Sequence, residues 1–304
     1  MIYLEIEDFS QLIRGRCTAM DCGMQDIQWF PGHMAKTKRR IAENLKLIDI
    51  VAEIVDARIP VSSRNPDIDV LTLNKPKIII LNKADIADSK KNWKWAEFYK
   101  SQGITAILID CKSGKGVNLF VPTVKSLLKD RLERARTRGI NKNLRVMVIG
   151  IPNVGKSSFI NRLSGGKKAK VEDRPGVTKG NQWFSISKNV ELLDTPGILW
   201  PKFDDILVAE KLAFTGAIKD NILDVEQLAV RLLMCLTKDY SENLAKRYKL
   251  ENSCIVGKSG IELLEMIAKK RGMLVSGGKI DTERAAIMLL DEFRAAKLGR
   301  ITLD

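Results

Sequence analysis

The stretch Gly150-Ile151-Pro152-Asn153-Val154-Gly155-Lys156-Ser157 has the spacing G-x-x-x-x-G-K-[ST] and follows the apolar run Arg145–Ile149. Such a loop cradles phosphate, because successive backbone N–H groups wrap an anion while the next helix adds its N-terminal dipole. A helix expected to open at Gly155 and run through Leu163 supplies that terminus. Val154, Gly155, Lys156, Ser157 and Ser158 then line a bound polyphosphate, with Lys156 on the β- and γ-phosphates and Ser157 on Mg²⁺. Downstream, Asp194-Thr195-Pro196-Gly197 closes the apolar run Val190–Leu193. There Asp194 holds Mg²⁺ through water, and the Gly197 N–H senses the γ-phosphate. Between the two lies Arg174-Pro175-Gly176-Val177-Thr178, whose Thr178 is the candidate cap on Mg²⁺ when the γ-phosphate is present. Lys156 and Thr178 are thus the expected actors at the transferring phosphate.

A second set of residues reads a base. Asn82-Lys83-Ala84-Asp85 follows the apolar run Lys77–Leu81 and fits N-K-x-D. Asp85 accepts hydrogen bonds from guanine N1–H and N2–H₂, a pairing adenine does not offer. Asn82 ties the loop to neighbouring backbone, and the Lys83 stem covers the base. After Thr105–Ile109, Asp110-Cys111-Lys112 stands where GTPases carry a short S-A-K element, and there the Cys111 N–H is expected on guanine O6. Asp-Cys in place of Ser-Ala is a departure. In an ordinary GTPase the phosphate loop comes first and the guanine-reading element late. Here the order is inverted, which predicts a circularly permuted GTPase.

The elements that must hold these loops read as an α/β unit. Short apolar runs at Ile48–Val55, Lys77–Leu81, Thr105–Ile109, Arg145–Ile149, Trp183–Ile186 and Val190–Leu193 alternate with helical stretches. That pattern predicts a mostly parallel sheet covered on both faces. A basic helix is expected from Ala35 to about Leu47. Beyond Pro201 and Phe203-Asp204-Asp205, apolar positions such as Leu228, Leu232, Leu233 and Leu236 recur at helical spacing. The expected division is an N-terminal extension over 1–24 outside the fold, a GTPase domain over 25–204, and a smaller all-helical RNA-binding domain over 205–304. For residues 1–23 the alternative is a helix docked on the surface.

The net charge of +14 is uneven. Residues 205–304 hold 16 Lys/Arg against 15 Asp/Glu, so the excess lies earlier. It gathers at Lys36, Lys38, Arg39 and Arg40, then along Lys129, Arg131, Arg134, Arg136, Arg138, Lys142 and Arg145, and at Lys167, Lys168 and Lys170. Such clusters suit RNA, or else a solvated helix face. Five scattered cysteines and a single histidine form no zinc spacing and read as free thiols in a reducing cytoplasm. No apolar run has membrane-spanning length, and the N-terminus lacks a secretion pattern.

The motif order together with Trp29-Phe30-Pro31-Gly32-His33-Met34-Ala35-Lys36, Asp56-Ala57-Arg58-Ile59-Pro60 and Ser63-Arg64-Asn65-Pro66 resembles the bacterial ribosome biogenesis GTPase A family (RbgA, also called YlqF). The resemblance covers about residues 25–304. It implies a GTPase that acts in late assembly of the large ribosomal subunit and is stimulated by the particle; the chain is expected to be a monomer that binds GTP and GDP. It also implies a helical C-terminal domain on ribosomal RNA. Ile198 follows Gly197 where many GTPases place a glutamine, so slow intrinsic turnover is expected. The resemblance points to His33 as the group that enters to position water, the alternative being a structural histidine. It also implies that Asn153 helps hold K⁺ beside the phosphates, the alternative being a loop hydrogen bond. Two rival functions stay open: a GTP-dependent RNA-binding scaffold with vestigial hydrolysis, and a permuted GTPase acting on the small subunit.

Overall fold

The computed structural model describes residues 39–72, 74–165, 182–197, 199, 205–218 and 224–304. Helical residues 39–45 lead into β1 (Ile50–Asp56), a strand buried at every position, as a strand covered on both faces must be. There follow α1 (Pro66–Thr72), β2 (Lys77–Asn82), α2 (Ser89–Ser101), β3 (Thr105–Leu108), α3 (Phe120–Leu127), α4 (Lys129–Thr137), β4 (Leu144–Ile149) and α5 (Lys156–Leu163). An antiparallel pair, β5 (Gln182–Ser187) and β6 (Val190–Asp194), completes the strands. The helices α6 (Ile206–Phe214), α7 (Val225–Asp239), α8 (Ser241–Tyr248), α9 (Gly260–Lys270) and α10 (Thr282–Arg294) end the chain.

The six-stranded sheet has the order β3-β2-β1-β4-β6-β5. β1 pairs in parallel with β2 and β4, β2 with β3, and β4 with β6. The C-terminal ends of these five strands therefore share one edge, where ligands bind in open α/β sheets. β4 carries the phosphate loop and is central, although it is fourth along the chain. The strands of the base-reading loops lie to one side and that of Asp194 to the other. This is the mostly parallel sheet that the alternating apolar runs predict, with the phosphate-loop strand later in the chain than the Asn82 strand, as the inverted motif order predicts.

The predicted strands are found with shifts of one or two residues at their ends. β1 starts at Ile50 rather than Ile48, because Ile48 closes a turn onto the Leu45 carbonyl and Asp49 faces cations. Of the predicted basic helix over 35–47, the described part is helical over 39–45.

α7 packs against α9 and α10. Leu212, Leu232, Leu236 and Leu289 of this helical region belong to the same buried cluster as Val148 and Phe159 beside the phosphate loop. The last four residues then return to the sheet edge. Ile301 N–H donates to the Ile86 carbonyl at 3.2 Å, and Leu303 N–H to that of Arg58 at 2.7 Å. The Asp304 side chain accepts from Val61 N–H, Ser62 N–H and the Ser62 hydroxyl at 2.7–2.8 Å, and pairs with Lys211.

Candidate guanine-nucleotide site

Between β4 and α5 the backbone takes left-handed values at Asn153 (φ 61°) and Gly155 (φ 99°), which turns N–H groups inward as an anion nest. A Cβ at Gly155 would stand 2.3 Å from Asn82 Nδ2, so glycine alone fits there. α5 starts at Lys156, with Ser157 and Ser158 half-buried in its first turn. Lys156 is 8% exposed and donates to the Ile151 carbonyl at 2.8 Å. Burial lowers its ammonium to about 8, with Asp194 acting in the opposite sense. That ammonium is thus held against the start of the loop by the Ile151 carbonyl.

Asp194 ends β6 and is buried. Burial raises its carboxyl to about 6, against the pull of Lys156 and a hydrogen bond from the Thr195 backbone. Its Oδ1 has no hydrogen-bond partner among the described residues. A buried carboxylate oxygen without a donor is unfavourable unless something positive meets it. A hard divalent cation with its water shell fits that requirement, so Asp194 and Ser157 suit Mg²⁺. Gly197 closes the group: a Cβ there would lie 2.8 Å from Lys156 Nζ and 3.0 Å from Pro152 N. Lys156, Asp194 and Gly197 thus converge on one end of the loop.

At the base end, Asn82 is 3% exposed and bridges two loops. Its Nδ2 donates to the Val154 carbonyl at 2.7 Å, and its Oδ1 accepts from Cys111 N–H at 3.1 Å. The second bond engages the N–H assigned to guanine O6, so reading O6 there requires Asn82 to share that donor. Asp110 explains the departure from Ser-Ala: it caps the turn, accepting from Lys112 N–H at 2.7 Å and Ser113 N–H at 3.1 Å. Burial opposes but does not outweigh these bonds, and the carboxyl lies below its ordinary value. Burial pushes the Cys111 thiol up to about 12, so it stays neutral and inert. Asp85 is exposed, which leaves its carboxylate open to a ligand.

Lys83 has left-handed backbone (φ 62°), and its ammonium pairs with Asp56 at 2.8 Å. Asn153 Nδ2 donates to the Gly216 carbonyl, just beyond α6, at 2.7 Å. That leaves its Oδ1 as the oxygen able to meet a cation. His33, Thr178 and Ile198 lie outside the described residues, as do Trp29–Lys36 and the extension over 1–24.

Sequence reasoning missed Arg162 on α5, which donates from Nε to the Cys111 carbonyl at 3.3 Å and from Nη2 to that of Lys112. It ties the base loop to the phosphate-loop helix. No short motif announces it, because the contact spans 50 residues or more.

A family model described as a 50S ribosome-binding GTPase matches residues 145–264, beginning in β4. The Ribosome biogenesis GTPase A of Priestia megaterium is 51% identical over 280 residues, covering 91% of this chain and 96% of that protein. The chain belongs to the ribosome biogenesis GTPase A family. It is accordingly a GTP hydrolase with a circularly permuted GTPase domain. The family's Thermotoga maritima member is 36% identical over 278 residues. Among solved structures, GNP-bound YlqF from T. maritima aligns with TM-score 0.60 at 33% identity, covering 88% of this chain and 97% of that one. A GDP-bound YlqF structure aligns with TM-score 0.62 and the same identity. More distantly, Mitochondrial ribosome-associated GTPase 1 of Mus musculus is 34% identical over 303 residues. Among the described residues no helix is long and apolar enough to cross a membrane.

Proposed function

We propose that this protein is a cytoplasmic, monomeric GTPase that docks on the immature large ribosomal subunit and leaves it on hydrolysis. The reading rests on family membership, and the observation that carries the site is the Asn82 bridge between the phosphate loop and the Asp110 loop. In this reading Asn82, Lys83 and Asp85, with Asp110, Cys111 and Lys112, bind guanine. Val154, Gly155, Lys156, Ser157 and Ser158 hold the phosphates, and Thr178 and Gly197 follow the γ-phosphate. Ser157, Thr178 and Asp194 would hold Mg²⁺, which would supply neutralisation of phosphate charge. Asn153 Oδ1, oriented by the Gly216 carbonyl, serves K⁺.

Residues 25–204 carry the nucleotide and 205–304 meet RNA. The basic run after Lys129 divides by use. Arg131 and Lys142 pair with Asp49 at 3.0 and 3.1 Å, and Arg145 pairs with Glu191 at 3.5 Å. Arg134, Arg136 and Arg138 are exposed, on or just past a helix with no buried residue, and carry no ion pair among the described residues. Those three are the cations of this run free to meet RNA phosphates. His33 positions water when the protein is on the particle, in place of the glutamine absent at Ile198.

Co-sedimentation with purified large subunits tests this. Retention with a non-hydrolysable GTP analogue and release with GDP is the expected result. Equal retention in both states would leave a scaffold, and preference for small subunits would move the site of action.

A further inference from the structure

Asp56 is the last residue of β1 and stands in register with Asn82 at the end of β2. It is 2% exposed. Its Oδ2 meets the Lys83 ammonium at 2.8 Å and Arg58 Nη2 at 2.7 Å, and its Oδ1 accepts from Arg58 Nε and Arg58 N–H at 3.0 Å. Its own N–H donates to Ser63 Oγ at 3.0 Å. Burial alone would raise this carboxyl, but Arg58 and Lys83 outweigh it and hold it well below the ordinary range. Asp56 therefore stays charged throughout the neutral range; burial lowers the Lys83 ammonium, with Asp56 acting in the opposite sense.

Lys83, in contrast, has a backbone conformation that L side chains seldom adopt. Such a conformation persists only where its surroundings hold it. The loop around it is held by Asn82 on one side and the Ile86 N–H bond to the Lys83 carbonyl on the other. The side chain itself is held by Asp56. With the ammonium on Asp56, only the aliphatic stem is left to lie on a base.

We infer that Asp56 is a positioning residue for guanine binding, acting through its buried ion pair with Lys83 to hold that stem against the base and the Asn82–Asp85 loop in its bound shape. The inference rests on the reading of Asn82–Asp85 as the guanine-binding loop. It gives Asp56 a task at the nucleotide, although β1 carries no phosphate or base motif. It also extends towards the helical region, because the Arg58 guanidinium lies 5.5 Å from the centre of the Phe293 ring on α10.

A double-mutant cycle on the full chain tests it, with affinities read by fluorescent GDP. Asp56→Asn and Lys83→Met should each weaken GDP binding by about tenfold, the scale of one lost charge-assisted hydrogen bond. The double variant should bind no more weakly than Lys83→Met alone. Arg58→Met removes the other cation and should lower the melting temperature while holding GDP affinity within about twofold, far short of a tenfold loss. Unchanged affinity in Asp56→Asn, or losses that multiply in the double variant, would overturn the inference. Asp85→Asn, assayed in parallel for a switch to XDP, separates failure of the loop assignment from failure of the Asp56 role. Should Asp56→Asn not fold, acetic anhydride labelling of the parent protein decides. Lys83 should be equally protected with and without GDP, since its ammonium remains on Asp56. Protection only in the presence of GDP would place that charge on the nucleotide and sink the inference.

Discussion

The Asn82 amide donates to the Val154 carbonyl at 2.7 Å, joining residues 72 positions apart in the chain. The same amide accepts from Cys111 N–H. One buried side chain thereby sets the spacing between the base-reading loops and the phosphate loop, despite their inverted order. A bond buried on both sides has no water to replace it, so Asn82→Ala would leave a carbonyl and an N–H unsatisfied together.

Asp85 should decide the choice of base. Replacement by Asn reverses donor and acceptor, so Asp85→Asn should bind XTP in preference to GTP. Competition between the two nucleotides for the variant is the measurement, and a retained GTP preference would remove Asp85 from base reading.

Asn153 should confer a cation dependence on turnover. GTP hydrolysis should run faster in K⁺ than in Na⁺ at equal ionic strength, and Asn153→Ala should erase the difference. Equal rates for the parent protein would leave Asn153 as a bond between the phosphate loop and Gly216.

His33 should act only on the particle. The isolated protein should turn over below the roughly 1–10³ s⁻¹ typical of enzymes. His33→Ala should keep GTP affinity and particle binding yet lose the stimulated rate, and so stay on the subunit. Normal stimulation would take His33 out of catalysis, and lost particle binding would make it a docking residue.

Asp194 should trade stability for function. Its carboxyl is raised from 3.8 to about 6 by burial. In the nucleotide-free protein the folded state therefore holds more proton than the unfolded chain between those values. Its stability contribution falls as pH rises through that window and stays low above it. Asp194→Asn removes the charge, so it should be the more stable form above pH 6 by on the order of 1 kcal/mol, with little difference below pH 4. The same variant should lose the Mg²⁺-dependent part of GTP binding. Melting curves across pH, with and without Mg·GTP, check both halves.

Asp304 should stabilise the fold from the far end of the chain. Asp304→Ala strips acceptors from Val61 N–H and Ser62 N–H and the partner from Lys211, a loss of about 2 kcal/mol. Urea unfolding measures it, and a change below about 0.5 kcal/mol, the scale of a neutral surface substitution, would mean the strap is not needed for stability.

The sequence by itself determined the strands, the loops at their ends and the permuted order. Each of those signals is local: a phosphate nest needs Gly155-Lys156-Ser157 contiguous after a strand, and a covered strand needs an unbroken apolar run. Asp194 and Asn82 were legible for the same reason, since each sits within its own short motif. Tertiary structure alone decided what surrounds them. Asp56 is brought to Lys83 by strand pairing between β1 and β2, and Arg162 reaches the Asp110 loop because α5 packs beside it. Gly216 meets Asn153 across the fold, and Asp304 meets Ser62 at a separation of 242 residues. A buried charge or an unpaired N–H takes whichever partner packing delivers, and chain spacing carries no record of that partner.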